Sequence, residues 1–205
     1  MRTKENLVNP ASDYYLYQPS TIASKLYLYP KEIGYFYYEP GYWRSRIQYN
    51  SFLLMYIAKG TCQVLLPDQQ LQNAVAGQVV LIDCYVPHEY GFDCDAEVSW
   101  IHFDGPLARD FYDLITASHG NIISPSNSFP ITNGLDQMLH VFRNSKPLKE
   151  GEASEIVVFD YAYITIHGTP GENGVMQGYF ELLHIPYSTS GVLVEIGRAS
   201  CRERV

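Results

Sequence analysis

Between Tyr49 and Asp104 the chain is a series of short apolar, β-branched and aromatic runs, separated by turn residues roughly every ten positions. That spacing leaves little room for anything but a β-sandwich or barrel. YNSFLLMYIAKGTCQVLL breaks at Lys59-Gly60, which predicts a hairpin with a glycine in its turn. After Pro67-Asp68, the stretch QLQNAV reads as a polar strand, Ala76-Gly77 as a turn and QVVLID as a buried strand. Pro87 has no N–H to give to a ladder, so that strand is predicted to end before His88. AEVSWIHFDG alternates, with Val98, Trp100 and His102 on one face and Ser99, Ile101 and Phe103 on the other.

The flanks read differently. The opening thirty residues are polar and rich in tyrosine, interrupted by Pro10, Pro19 and Pro30, and predict an arm with short extended pieces. Tyr14, Tyr15 and Tyr17 suit an arm that folds over the mouth of a barrel, either ordered by a ligand or packed there permanently. Beyond Gly105-Pro106, residues Leu107, Phe111, Leu114 and Ile115 mark an amphipathic helix over 107–117. After a Ser-, Asn- and Pro-rich loop, Leu135, Met138, Leu139 and Phe142 mark a second over 134–145. KPLKEGEASEI then looks like the first turn of a third helix, but VVFDYAYITIHG continues it with a strand pattern. Native sequences usually avoid such a conflict within one element.

Charge and cysteine content exclude several functions. Acids outnumber bases 22 to 14 for a net charge of −8, and no cluster of Lys and Arg offers a phosphate-binding surface. This polypeptide is therefore not expected to hold DNA by itself. No apolar run reaches the ~20 residues of a membrane span, and MRTKENLVNP lacks the apolar core of a signal peptide. A cytoplasmic location is the expectation. Cys62, Cys84, Cys94 and Cys201 form no CxxC pair and have no histidine at zinc spacing, so they are expected to be reduced small hydrophobes. No cofactor or metal is expected.

The stretches GYFYYEPGYWRSR, YNSFLLMYIAKG, AGQVVLIDCYVPHEYGF and VSWIHFDGPLARDFYDLI resemble the sensor domain of AraC-type transcription regulators. With the arm and helices, the resemblance covers about residues 1–155. It implies a cupin jelly-roll barrel that binds a small effector, often a sugar, and a helical pair that forms a homodimer; DNA would be reached only through a helix-turn-helix domain that this chain lacks. Residues 157–194, with HGTPGENGVMQG followed by IPY, resemble the N-terminal domain of D-alanine–D-alanine ligases. That resemblance implies that His167 and Glu172 lie near the first D-alanine, in a fragment too short for ligase chemistry. EIGRASCRERV, residues 195–205, resembles the in-frame translation of a sequencing-library adapter. The expected organisation is an arm (1–33), a barrel (34–105), a truncated helical dimerisation segment (106–155), a ligase-like fragment (156–194) and an artefactual tail (195–205). The expected fold is mainly β: a cupin-like jelly-roll barrel followed by two or three α-helices, with a poorly structured foreign C-terminal tail.

Six residues are candidates for effector contacts. Trp100 and Tyr90 match, by position, residues that touch effector in the resembled family, although a large aromatic on a barrel strand also serves as plain filling. Arg44 and Arg46 precede the first long strand, where the family often places an arginine reaching the ligand; a surface position is the alternative for at least one of them. His88 either contacts ligand or caps its turn, and His102 shares the face of Trp100. Val98 stands where some sugar-binding members carry histidine, so the resemblance does not specify the sugar. A metal-dependent cupin enzyme would need an HxH pair, and here His88-Glu89-Tyr90 and a lone His102 stand instead. The GENG turn lacks the phosphate-loop lysine. The reading is a binding domain and not an enzyme; the alternative is an inactive ligase fragment.

Overall fold

Glycine- and proline-marked turns send the chain back and forth between two antiparallel sheets. The structure, a computed structural model, describes residues 5–144, all within the first of two units, Met1–Ser154 and Glu155–Val205. The larger sheet holds, in spatial order, β1 (Asp13–Leu16), β2 (Tyr29–Tyr38), β9 (Ala96–Asp104), β4 (Phe52–Lys59), β7 (Val79–Asp83) and β10 (Ile122–Ile123). The smaller holds β3 (Tyr42–Arg46), β8 (His88–Phe92), β5 (Thr61–Leu65) and β6 (Gln72–Val75). From β2 to β9 successive strands switch sheet at almost every turn, the path of a jelly roll. Among the described residues three helices accompany the sheets: α1 (Thr21–Leu26), α2 (Ala108–His119) and α3 (Phe129–Asn144).

The hairpin predicted at Lys59-Gly60 is not one. β4 pairs with β9 and β7, whereas β5 pairs with β8 and β6. Gly60, at φ +86°, carries the chain from one sheet to the other, and a Cβ there would stand 2.7 Å from the Asp95 carbonyl oxygen. Two apolar strands around a glycine look the same in sequence whether the turn closes a hairpin or a sandwich corner. The strand expectations at QLQNAV, QVVLID and AEVSWIHFDG correspond to β6, β7 and β9.

The core between the sheets is built from alternate residues of each strand, among them Leu53, Met55, Ile57, Val80, Ile82, Phe92 and Val98. Each such side chain contributes about 1.5–3 kcal/mol by leaving water. Cys62 and Cys84 are buried here as free thiols, and Cys94 is exposed. The opposite face of the larger sheet is covered by α3, whose Leu135 and Leu139 pack on Ile33 of β2 and Ile101 of β9. The alternation read in AEVSWIHFDG is therefore real: Trp100 faces the inner core and Ile101 the helix.

The helices differ from expectation in their ends and faces. α1 lies in the predicted arm, where Pro19 is followed by Ser20, whose hydroxyl accepts the Ala23 N–H at 3.1 Å as an N-cap. α3 begins at Phe129, ahead of the predicted start, because Asn127 Oδ1 accepts the Phe129 N–H at 3.0 Å. Pro130 then sits in the first turn, where a missing N–H costs nothing. In α2 the predicted buried face is largely outside, with Leu107, Phe111 and Leu114 at 52 %, 44 % and 66 % exposure. Ala108 is the residue of α2 that is buried. The predicted third helix, the ligase-like segment with His167 and Glu172, and the last eleven residues with Cys201 lie outside the described residues.

Candidate functional site

A cavity of about 190 Å³ opens between the two sheets. That is smaller than the roughly 300–1,000 Å³ of sites for drug-sized ligands and suits a small metabolite. β2 contributes Glu32, Phe36 and Tyr38, β9 contributes Trp100 and His102, and β3 contributes Tyr42, Arg44 and Arg46; Tyr90 of β8, Tyr14 of β1 and Glu5 complete the wall. Five of the six residues read from the sequence, Arg44, Arg46, Tyr90, Trp100 and His102, thus share one cavity.

Trp100 forms its aromatic side. Phe36 meets the indole edge-on with ring centres 5.0 Å apart, and His102 meets it at 5.7 Å. The indole also needs Gly34 opposite it on β2, since a Cβ at residue 34 would come within 2.6 Å of Trp100 Cζ2. Trp100 is 8 % exposed, and its Nε1 has no hydrogen-bond acceptor. An unpaired buried donor costs about 1–3 kcal/mol, and at a cavity wall a ligand oxygen removes that cost.

The charged groups are arranged around β3. The guanidinium of Arg44 pairs with the Glu5 carboxylate, and its Nε donates to Tyr42 Oη at 3.2 Å. Tyr42 Oη in turn donates to Glu5 Oε1 at 2.8 Å, which closes a three-residue network. Arg46 lies over the Tyr49 ring, 4.5 Å from its centre, with no carboxylate at ion-pair distance among the described residues. Tyr49 Oη donates to the Glu32 carboxylate. Burial pushes the Tyr90 phenol up to about 12, against the opposing pull of Arg46 and Arg44, so it enters the cavity wall as a neutral hydroxyl.

The two histidines separate. His102 shares a 2.8 Å hydrogen bond between its Nδ1 and Ser51 Oγ. Burial, with Arg46, His88 and Lys31 acting in the same sense, pushes it down to about 3, so the imidazole is neutral and offers one donor and one acceptor. His88 does not line the cavity. Its Nδ1 donates to the Val86 carbonyl at 2.8 Å, the turn-capping arrangement that was the alternative to a ligand contact. Burial also lowers His88, so its Nε2 is an unpartnered acceptor.

Sequence reading missed Glu5, Glu32, Phe36, Tyr38 and Tyr42. The signal was present in GYFYYEPGYWRSR, where Phe36 and Tyr38 alternate on one strand and Tyr42, Arg44 and Arg46 on the next. Glu5 carried none, since it reaches the cavity from outside any strand. Of the arm tyrosines, Tyr14 lines the cavity, whereas Tyr15 and Tyr17 lie against Phe142 of α3 at 6.5 and 5.9 Å. Among the described residues, no three His, Cys, Asp or Glu side chains stand close enough together to hold a metal ion.

Comparison with known proteins gives two unlike sets of relatives. Residues 29–157 match the family described as AraC-like ligand binding domain. A D-alanine–D-alanine ligase of Phocaeicola vulgatus is 64 % identical over 47 residues, which is 23 % of this chain and 14 % of the ligase. That of Bacteroides fragilis is 70 % identical over 40 residues, 20 % of this chain and 12 % of the ligase. The chain thus spans only a small part of the ligases it matches. Among solved structures, a cupin superfamily protein of Desulfitobacterium hafniense superposes with a TM-score of 0.35 at 16 % identity, over 50 % of this chain and 82 % of that one. A cupin 2 conserved barrel domain protein of Leptotrichia buccalis gives 0.37 at 14 % identity, over 50 % and 43 %.

Proposed function

This chain belongs to the AraC-like ligand-binding domain family, and from that premise we propose that it senses a carbohydrate for a bacterial transcription regulator. The observation that carries the proposal is Trp100: a large aromatic face in a small cavity, with an unpartnered Nε1 and five side chains with hydrogen-bonding groups lining the same cavity, Tyr42, Arg44, Arg46, Tyr90 and His102. A sugar presents an apolar face to stack on such a ring and hydroxyls to meet such groups. The role proposed is binding without catalysis. DNA contacts belong to other parts of such a regulator, since no Lys and Arg cluster exists in this chain.

Self-association through the helical segment is part of the same reading and is supported by the exposed Leu107, Phe111 and Leu114. A cytoplasmic location fits it as well; no described helix is long and apolar enough to cross a membrane. The ligase matches support a second proposal: residues 157–194 are a foreign segment joined to the sensor, and residues 195–205 an adapter translation. Long single reads of the source DNA across codons 150–205 test this. A read that runs from the sensor into other sequence supports the join as an artefact, and an unbroken read through all three parts contradicts it.

The sensing proposal is tested by thermal denaturation of the full chain with a panel of monosaccharides and their acids. A ligand at one hundred times its Kd adds about 2.7 kcal/mol to the folded state. A rise in Tm with one member, absent in Trp100→Ala, supports the proposal; a flat panel contradicts it.

A further inference from the structure

From the charge arrangement around β3 we infer that the effector carries a carboxylate, as a sugar acid does, and that this carboxylate displaces Glu5 from Arg44 and Tyr42. The inference rests on the carbohydrate reading and narrows it to an anionic class.

The cavity lining contains two guanidiniums, Arg44 and Arg46, and two carboxylates, Glu5 and Glu32. The carboxylates are not equivalent. Glu32 is part of β2 and is engaged by the Tyr49 hydroxyl, so it stays where the sheet puts it. Glu5 lies outside every strand and helix, and reaches the cavity from the beginning of the chain. It takes the Tyr42 hydroxyl at 2.8 Å and pairs with Arg44, whose side chain is itself 32 % exposed. A carboxylate from outside the regular strands, on a segment joined to β2 from Leu7 onward, is thus held by the two groups that a ligand carboxylate would use: a guanidinium that donates in a fork and a phenol.

Arg46 completes the case. A guanidinium is seldom left half-buried without an acceptor, yet Arg46 has an aromatic ring beneath it and no ion-pair partner among the described residues. Its charge reaches across the cavity, opposing protonation of His102 and favouring the ionised forms of Tyr42 and Tyr90. Once Glu5 leaves, two guanidiniums face one carboxylate. A neutral sugar entering there would leave that imbalance in place. An anionic one removes it, while its ring still meets Trp100.

The test is isothermal titration of the full chain with matched pairs that differ only in a carboxylate for a hydroxymethyl group: D-glucose and D-glucuronate, D-galactose and D-galacturonate, D-mannose and D-mannuronate. At low salt, one acid is expected to bind at least about tenfold tighter than its neutral partner, the size of a charge-assisted hydrogen bond to arginine. Added salt weakens the acid and leaves the neutral sugar unchanged. Glu5→Gln, which removes the competing carboxylate and keeps the side chain's shape, tightens the acid; Arg44→Gln removes the difference between acid and sugar. A neutral sugar that binds as tightly as its acid overturns the inference and leaves the carbohydrate reading intact. So does an acid that binds Glu5→Gln more weakly than wild type. If no member of any pair binds either wild type or Glu5→Gln, the carbohydrate reading falls and the inference falls with it.

Discussion

The indole of Trp100 occupies the space that a side chain on Gly34 would need: Cζ2 lies 2.6 Å and Cε2 2.8 Å from an added Cβ, and the Asp13 backbone carbonyl oxygen 2.9 Å from it. Gly34→Ala therefore cannot be absorbed by one flexible group. It is expected to destabilise the barrel by about 1–3 kcal/mol, as overpacking does, and to shift the emission of Trp100. Gly134→Ala is the control, because a Cβ there meets nothing within 4 Å inside α3. It should raise stability by up to about 1 kcal/mol. Urea denaturation of the two variants checks both signs.

Arg109 ties α2 to the barrel. Its Nη1 donates to Asp83 Oδ2 at 2.6 Å, and its guanidinium stands 4.7 Å from the Phe52 ring centre, 5.6 Å from that of Tyr112 and 5.8 Å from that of Tyr85. Arg109→Ala leaves the Asp83 carboxylate, 11 % exposed, without its cation, with the Tyr85 N–H still donating to its Oδ1 at 2.9 Å. Since Arg109 is half exposed, the expected loss is about 1–3 kcal/mol and not the larger cost of a fully buried pair. Arg109→Lys should recover only part of it, because an ammonium lacks the planar face that covers Phe52. Chemical denaturation midpoints of the two variants measure this.

The histidines set a pH dependence. Burial lowers both His88 and His102, the latter to about 3, whereas in the unfolded chain each titrates near 6.5. The unfolded state then binds more protons between those values, so stability is full above about pH 6.5 and is lost as the pH falls below it. The slope reaches up to about 1.4 kcal/mol per pH unit for one such histidine. Urea midpoints measured between about pH 7.5 and 5, above the range where carboxylates titrate, should fall with pH, and His102→Gln should flatten the fall. A midpoint independent of pH in this window contradicts the assignment.

Exposed Leu107, the N-cap of α2, and Phe111 and Leu114 within it recur at helical spacing. If this stripe joins two copies, Leu114→Glu lowers the mass seen in sedimentation equilibrium from dimer to monomer while the circular dichroism stays unchanged. A wild-type chain that is monomeric at tens of micromolar would contradict the homodimer.

Much of the barrel was legible because its strands alternate. Trp100 and His102 on one face and Ile101 on the other follow from a period of two, and the structure keeps that order. What sequence patterns do not carry is which strand pairs with which. Gly60 marks a turn in either arrangement, and only the pairing of β4 with β9 and of β5 with β8 shows that the chain changes sheets there. The α2 helix shows the same limit: its 3.6-residue period was visible, but the side that meets the barrel is set by Ala108, by Tyr112 against Phe52 and by the Arg109–Asp83 pair, and not by Leu107, Phe111 and Leu114. In the site, residues on regular strands could be found by position. Glu5 could not, since no periodicity connects a lone acid near the start of the chain to an arginine on β3.

The central claim, a small effector held against Trp100, is tested most directly by fluorescence. The chain has two tryptophans, and Trp43 is half exposed, with its Nε1 donating to Glu89 at 2.7 Å. Trp43→Phe leaves Trp100 as sole reporter. Titration of this variant with the monosaccharides and their acids is expected to give a saturable change in emission with at least one of them, lost in Arg46→Ala. An emission that no member changes, in a variant whose near-ultraviolet circular dichroism matches wild type, would contradict the account.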